Sequence, residues 1–134
     1  MKKILVLVIV IPLFVSCARN MYVDYQVDSA NTGTVVVKPS KATSATYVTI
    51  DDNLIVDKKS IKSVTIQNVP VGDHNIHYAS THLAYKEKID EQIKVEMDTP
   101  RKITKLVEVP PLSTGYWIAY GVIFFAILGP VIIL

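Results

Sequence analysis

The chain has 134 residues, half of them hydrophobic, with 14 Lys and Arg against 12 Asp and Glu, a formal net charge of +2 and a single cysteine. That length holds one small domain plus anchoring segments. The basic excess is accounted for by Lys2 and Lys3, and a neutral remainder lacks the clustered basic surface that nucleic acid requires. With one cysteine, a disulfide needs a second chain.

The first element is a targeting segment. Lys2-Lys3 form a positive n-region, and Ile4 to Val15 (ILVLVIVIPLFV) is an apolar run of 12 residues, too short to span a bilayer and right for a secretory signal. It leads into Leu13-Phe14-Val15-Ser16-Cys17, which resembles the bacterial lipobox, with Phe14 where Leu is usual. The resemblance implies a lipoprotein signal peptide over 1–16 and a lipid (palmitate) on Cys17, which becomes the mature N-terminus. No other cofactor is expected. Ala18-Arg19-Asn20 follow, without an Asp beside Cys17. By resemblance to enterobacterial lipoproteins, that implies the outer membrane.

Next comes a β-rich body. Residues 17–32 hold the lipidated N-terminus with a linker or first strand, where Met21 to Val27 alternates Tyr22, Asp24 and Gln26 against Val23, Tyr25 and Val27. Residues 33–109 are expected to form a small antiparallel, sandwich-like periplasmic domain. Thr34 to Lys38 is β-branched and ends at Pro39; Pro39 to Ser44 reads as a loop, Ala45 to Ile50 as a strand and Asp51-Asp52-Asn53 as a turn. Leu54 to Val56 extends the hairpin. Ser63 to Val69 puts Val64 and Ile66 on one face, Pro70 to Asp73 turns, and Asn75 to Ala79 resumes with Ile76 and Tyr78 pointing together. Tyr85 to Met97 fits both a helical stripe (Ile89, Ile93, Met97) and strand alternation (Ile93, Val95, Met97); its β-rich neighbours favour the strand. Ile103 to Val109 is one more strand. The pattern TVVVKPS, YVTIDDN and VPVGDHNIHY resembles the small β-sandwich modules called PEGA domains, with Gly72 and His74 matching a glycine–any residue–histidine turn.

No catalytic or metal motif emerges, and an enzyme is not expected. His74, His77 and His82 lie at odd offsets, which point to opposite faces of a strand. HExxH, CxxC, GxSxG and a phosphate-binding glycine loop do not occur. Adjacent acids such as Asp51-Asp52 and Asp90-Glu91 suit turns and solvated faces.

Pro110 to Thr114 reads as a stiff, extended connector. Gly115 to Leu134 (GYWIAYGVIFFAILGPVIIL) has no charged residue, Asn or Gln across 20 residues, and as a helix it covers roughly 30 Å, the thickness of a hydrocarbon core. Tyr116, Trp117 and Tyr120 gather at one end, as at a membrane interface. Residues 115–134 are therefore expected to be a transmembrane helix.

A lipobox, a periplasmic β-rich body and a C-terminal transmembrane segment together resemble a unimolecular spanin, a phage lysis protein. The resemblance implies that Cys17 anchors in the host outer membrane and 115–134 in the inner one. After endolysin degrades the peptidoglycan, such proteins self-associate and disrupt the outer membrane by membrane fusion. Extended, residues 18–114 would reach up to roughly 320–350 Å. Self-association through exposed Val, Thr and Ile edges would then make Val64 and Ile66 sensitive positions. The alternative is a bacterial envelope lipoprotein whose PEGA-like domain binds cell-wall or protein partners, with both anchors in one membrane.

Overall fold

Alternation and β-branched residues dominate the body, and the body folds accordingly. The computed structural model describes residues 17–25 and 30–132, with side chains as far as Ala126. The expected signal peptide (1–16), the lipobox residues Leu13, Phe14, Val15 and Ser16, and Gln26 and Val27 of the expected first strand lie outside the described residues. Those described form β1 (Arg19–Asp24), β2 (Thr32–Pro39), β3 (Thr43–Ile50), β4 (Asn53–Pro70), β5 (Gly72–Ser80), β6 (Ile89–Met97), β7 (Lys102–Val107) and α1 (Thr114–Ile132).

The strands hydrogen-bond in the order β6-β5-β3-β4-β2-β7, with β1 pairing β4 off that path. β4 shapes the whole. Its 18 residues would stretch roughly 60 Å if straight. Instead its first part pairs with β3, from Ile50↔Asn53 to Thr43↔Ile61. Its second part lies between β2 and β1, reaching Thr32↔Pro70 and Asp24↔Gln67. Pro70 comes back beside the β3–β4 turn, because the His74 ring bonds both the Pro70 carbonyl and Asp51. β4 therefore runs out from that turn, bends near Lys58 to Ile61 and returns. Ala45 and Lys58 at φ 48°, with shifts in the β3–β4 register, mark the bend; extra residues that break a ladder are what curve a sheet. One sheet thus curls nearly into a barrel.

Inward positions fill the centre. Val35 and Val37, Val48 and Ile50, Val64 and Ile66, Ile76 and Tyr78, and Val95 and Met97 are buried in i, i+2 pairs, as the two-residue period of a strand requires. Asp51 and Asp52 both adopt positive φ between the paired Ile50 and Asn53, the two-residue hairpin turn whose twist matches its strands. At Gly33 an added Cβ would lie 2.5 Å from the Arg101 carbonyl and against the Met97 sulfur, so a side chain there would have to push β2 away from them.

Several expectations are corrected. The sheet is mixed rather than antiparallel: β1 runs parallel to β4 and β2 parallel to β7. Alternation reports which face is buried, not the direction of the partner. Leu54 to Val56 and Ser63 to Val69 are parts of one strand, and β3 starts at Thr43 inside the expected loop. The ambiguous segment is strand β6 over Ile89–Met97, in unbroken register with β5. Val64 and Ile66 lie fully in the core, so they are no part of an exposed associating edge. The connector is not free: Leu112 bridges to Tyr85, the Lys86 amide donates to the Pro111 carbonyl and the Ser113 amide to the Ala84 carbonyl.

Candidate functional site: two opposite rims

Strand directions sort the ends of the body into two rims. β3, β6 and β1 start, and β2, β5 and β7 finish, at a near rim, since Arg19 and Thr43 both pair with Ile61, Ser80 pairs with Ile89 and Pro39 with Val107. The bend of β4 is there too. At the far rim lie the Asp51-Asp52 turn, Pro70 to His74, Met97 and Lys102.

Cys17 and α1 both belong to the near rim. Cys17 is exposed and only two residues before β1, within about 7 Å of chain. α1 starts one residue after Ser113, whose amide is tied to Ala84; the Ser113 hydroxyl accepts from the Tyr116 amide and so caps the first turn. Gly115 and Tyr116 line an open depression with Ala45, Lys58 and Leu83. Neither end has slack.

α1 stands off the body. Trp117, Ile118, Tyr120, Val122, Ile123, Phe124 and Phe125 are all exposed, with Tyr116 stacked on Tyr120 and edge-on to Trp117. Tyr116, Trp117 and Tyr120 thus cluster at the end of α1 next to the body. Among the described residues no helix is long and apolar enough to cross a membrane. Described side chains end at Ala126, roughly 20 Å along the helix at 1.5 Å per residue; the side chains of the rest of 115–134 lie outside the described residues.

The far rim is bolted by a polar cluster. His74, 9% exposed, sets Nδ1 2.6 Å from Asp51 Oδ2 and Nε2 2.7 Å from the Pro70 carbonyl. Both partners only accept, so the two bonds are complete when both ring nitrogens carry protons. Asp51 also accepts from the Asn75 amide at 2.9 Å and from the Tyr25 hydroxyl at 3.2 Å, and the Tyr25 ring meets His74 edge-on. Burial pushes the Asp51 carboxyl up, but the hydrogen bonds from His74, Asn75 and Tyr25 and the charge of His74 outweigh it and hold the group below its ordinary value of 3.8. Burial likewise pushes the Tyr25 hydroxyl up, with the Asp51 charge adding to it. The cluster joins β1, the β3–β4 turn and β5; it offers no open coordination position.

The other histidines do different work. His77 pairs with Asp90 across β5 and β6 on the outer face at 2.6 Å, and His82 accepts the Ala84 amide within its own turn. Among the described residues no group of three or more His, Cys, Asp or Glu could hold a metal ion. The Asp51–His74 bolt was missed in the sequence, where Asp51 reads only as a turn residue; the glycine–any residue–histidine pattern at Gly72 and His74 was its one signal. No protein-family model matches the chain and no curated protein matches it.

Proposed function

We propose that the protein is an envelope lipoprotein held on one membrane by two tethers, a lipid on Cys17 and the apolar segment 115–134, and that its PEGA-like β body presents the far rim to a cell-wall or protein partner. The observation that carries this is the shared exit: Cys17 and the start of α1 leave the same rim with no linker on either side. A folded body of this kind brings both tethers to one surface. The exposed apolar flank of α1 supports the second tether, since each such side chain gains about 1.5–3 kcal/mol on leaving water. No catalytic role is proposed.

The spanin reading stays as the second, favoured by the pairing of a lipobox cysteine with a closing apolar run. It requires the body to open, because tethers at one rim cannot reach two membranes otherwise. Sucrose-gradient fractionation after palmitate labelling separates the two. One-membrane tethering predicts labelled protein in a single membrane fraction, before and after removal of 115–134. Label spread over both membranes, collapsing into the outer one when 115–134 is cut away, overturns it in favour of the bridge.

A further inference from the structure

The near rim carries more than the two tethers. Arg19, Lys41, Lys58, Lys62, Lys86 and Lys88 are exposed around it, with Asp57, Glu87 and Glu108 among them. The far rim is the reverse: Asp24, Asp52, Asp73, Glu96 and Asp98 are exposed there, with Asp51 half-buried and Arg101 and Lys102 as the balancing cations. A chain whose body is neutral overall is thus polarised along the strand axis. At the basic end, Leu83 is 95% exposed on the turn between β5 and β6.

That turn is braced. The Thr81 amide donates to the Ala45 carbonyl, the Tyr85 amide to the His82 carbonyl and the Ala84 amide to His82 Nδ1, while the His82 and Tyr85 rings meet edge-on and Ala84 is buried. Leu83 is the turn's outward tip, beside Tyr116 at the root of α1. A lone exposed Leu is ordinary. One that shares a depression with Lys58, on a fixed turn, beside the Tyr116, Trp117 and Tyr120 cluster and at a rim rich in exposed lysines fits the boundary between acyl chains and anionic headgroups, where an apolar tip enters and basic residues stay with phosphate.

We propose that the near rim is itself a lipid-binding surface: Leu83 inserts into the interface of an anionic bilayer while Lys41, Lys58 and Lys86 contact headgroup phosphates, docking the body flat on the membrane. This rests on one-membrane tethering and goes beyond it, since two tethers alone leave the body free to stand off. The basic rim suits an anionic surface, and the exposed apolar flank of α1 rooted beside Leu83 favours a lipid one over a protein partner.

The test uses the full-length protein in vesicles of phosphatidylcholine with or without phosphatidylglycerol. An environment-sensitive thiol probe is placed at Leu83→Cys or, as a far-rim control, Asp52→Cys; labelling of the parent protein sets the contribution of Cys17. The expected result is a blue-shifted Leu83 probe, quenched several-fold by brominated lipid in anionic vesicles, and a wet Asp52 probe. Replacing Lys41, Lys58 and Lys86 by Glu should reduce the quenching, with the ratio of docked to undocked body falling on the order of fivefold per residue while the protein still floats with the vesicles. A wet Leu83 probe on protein that still floats with vesicles overturns the docking and leaves the tethers standing. A probe equally shifted in detergent and untouched by brominated lipid overturns it in favour of protein contact. Quenching indifferent to the charge reversals removes the headgroup contacts. Failure of one-membrane tethering shows separately, in the gradient.

Discussion

Asp51 shows how much one turn residue can organise. Its carboxylate accepts from an imidazole and a backbone amide of β5 and from the Tyr25 phenol just after β1, and its proton affinity is lowered by them. A group whose folded value lies below its unfolded one adds stability that is fully present above the unfolded value and is lost as pH falls through the folded one. Stability of the body should therefore decline with acid below the ordinary carboxylate range, and Asp51→Asn should flatten that decline in denaturant titrations run across acidic pH. His74→Ala leaves the Pro70 carbonyl and Asp51 short of their partner; a loss of about 1–3 kcal/mol is expected from the lowered denaturation midpoint. At Gly33 the limit is space. Gly33→Ala should cost about 1–3 kcal/mol by forcing β2 away from Arg101 and Met97, read as a lower melting temperature with retained β-sheet circular dichroism.

Among the elements, β4 departs furthest from what the sequence displays. Val56, Ile61, Val64, Ile66 and Val69 are all core residues, yet Asp57 to Lys62 contains three lysines, an aspartate and a serine and looks like a loop between two strands. It is a strand all the same, because at the bend its polar side chains face outward while Ile61 alone turns in. That Ile76 and Tyr78 share a face, and Val64 and Ile66 another, was legible from alternation, as were the Asp51-Asp52 turn and a helix starting near Gly115; that the face of Val64 and Ile66 is the core and not an exposed edge was not. The parallel partners of β1 and β2 were not, since pairing direction leaves no period in a sequence. Nor was the common rim of Cys17 and α1, which depends on β4 folding back. The core placement yields a sharp contrast. Val64→Lys or Ile66→Lys buries an unpaired charge in a packed interior and should abolish cooperative unfolding at any temperature tested. Tyr22→Lys, on the exposed face of β1, should change the midpoint by no more than about 0.5 kcal/mol.

For the whole molecule, the direction in which the strands run matters more than any single site. Six of the seven strands begin or end at the near rim, and a strand of nine residues such as β5 spans about 30 Å at 3.3 Å per residue. If both ends are tethered to one membrane as proposed, the acidic far rim would be carried at a set height above the lipid, and swivelling about a single flexible tail would be removed. A partner would then meet the protein as one lamina meets another: its search would be two-dimensional, and its reach would have to match a gap the length of one folded strand. Lengthening the Pro110–Ser113 segment would release that height without altering the rim, so capture of a wall-bound ligand would become a matter of spacing and not of affinity.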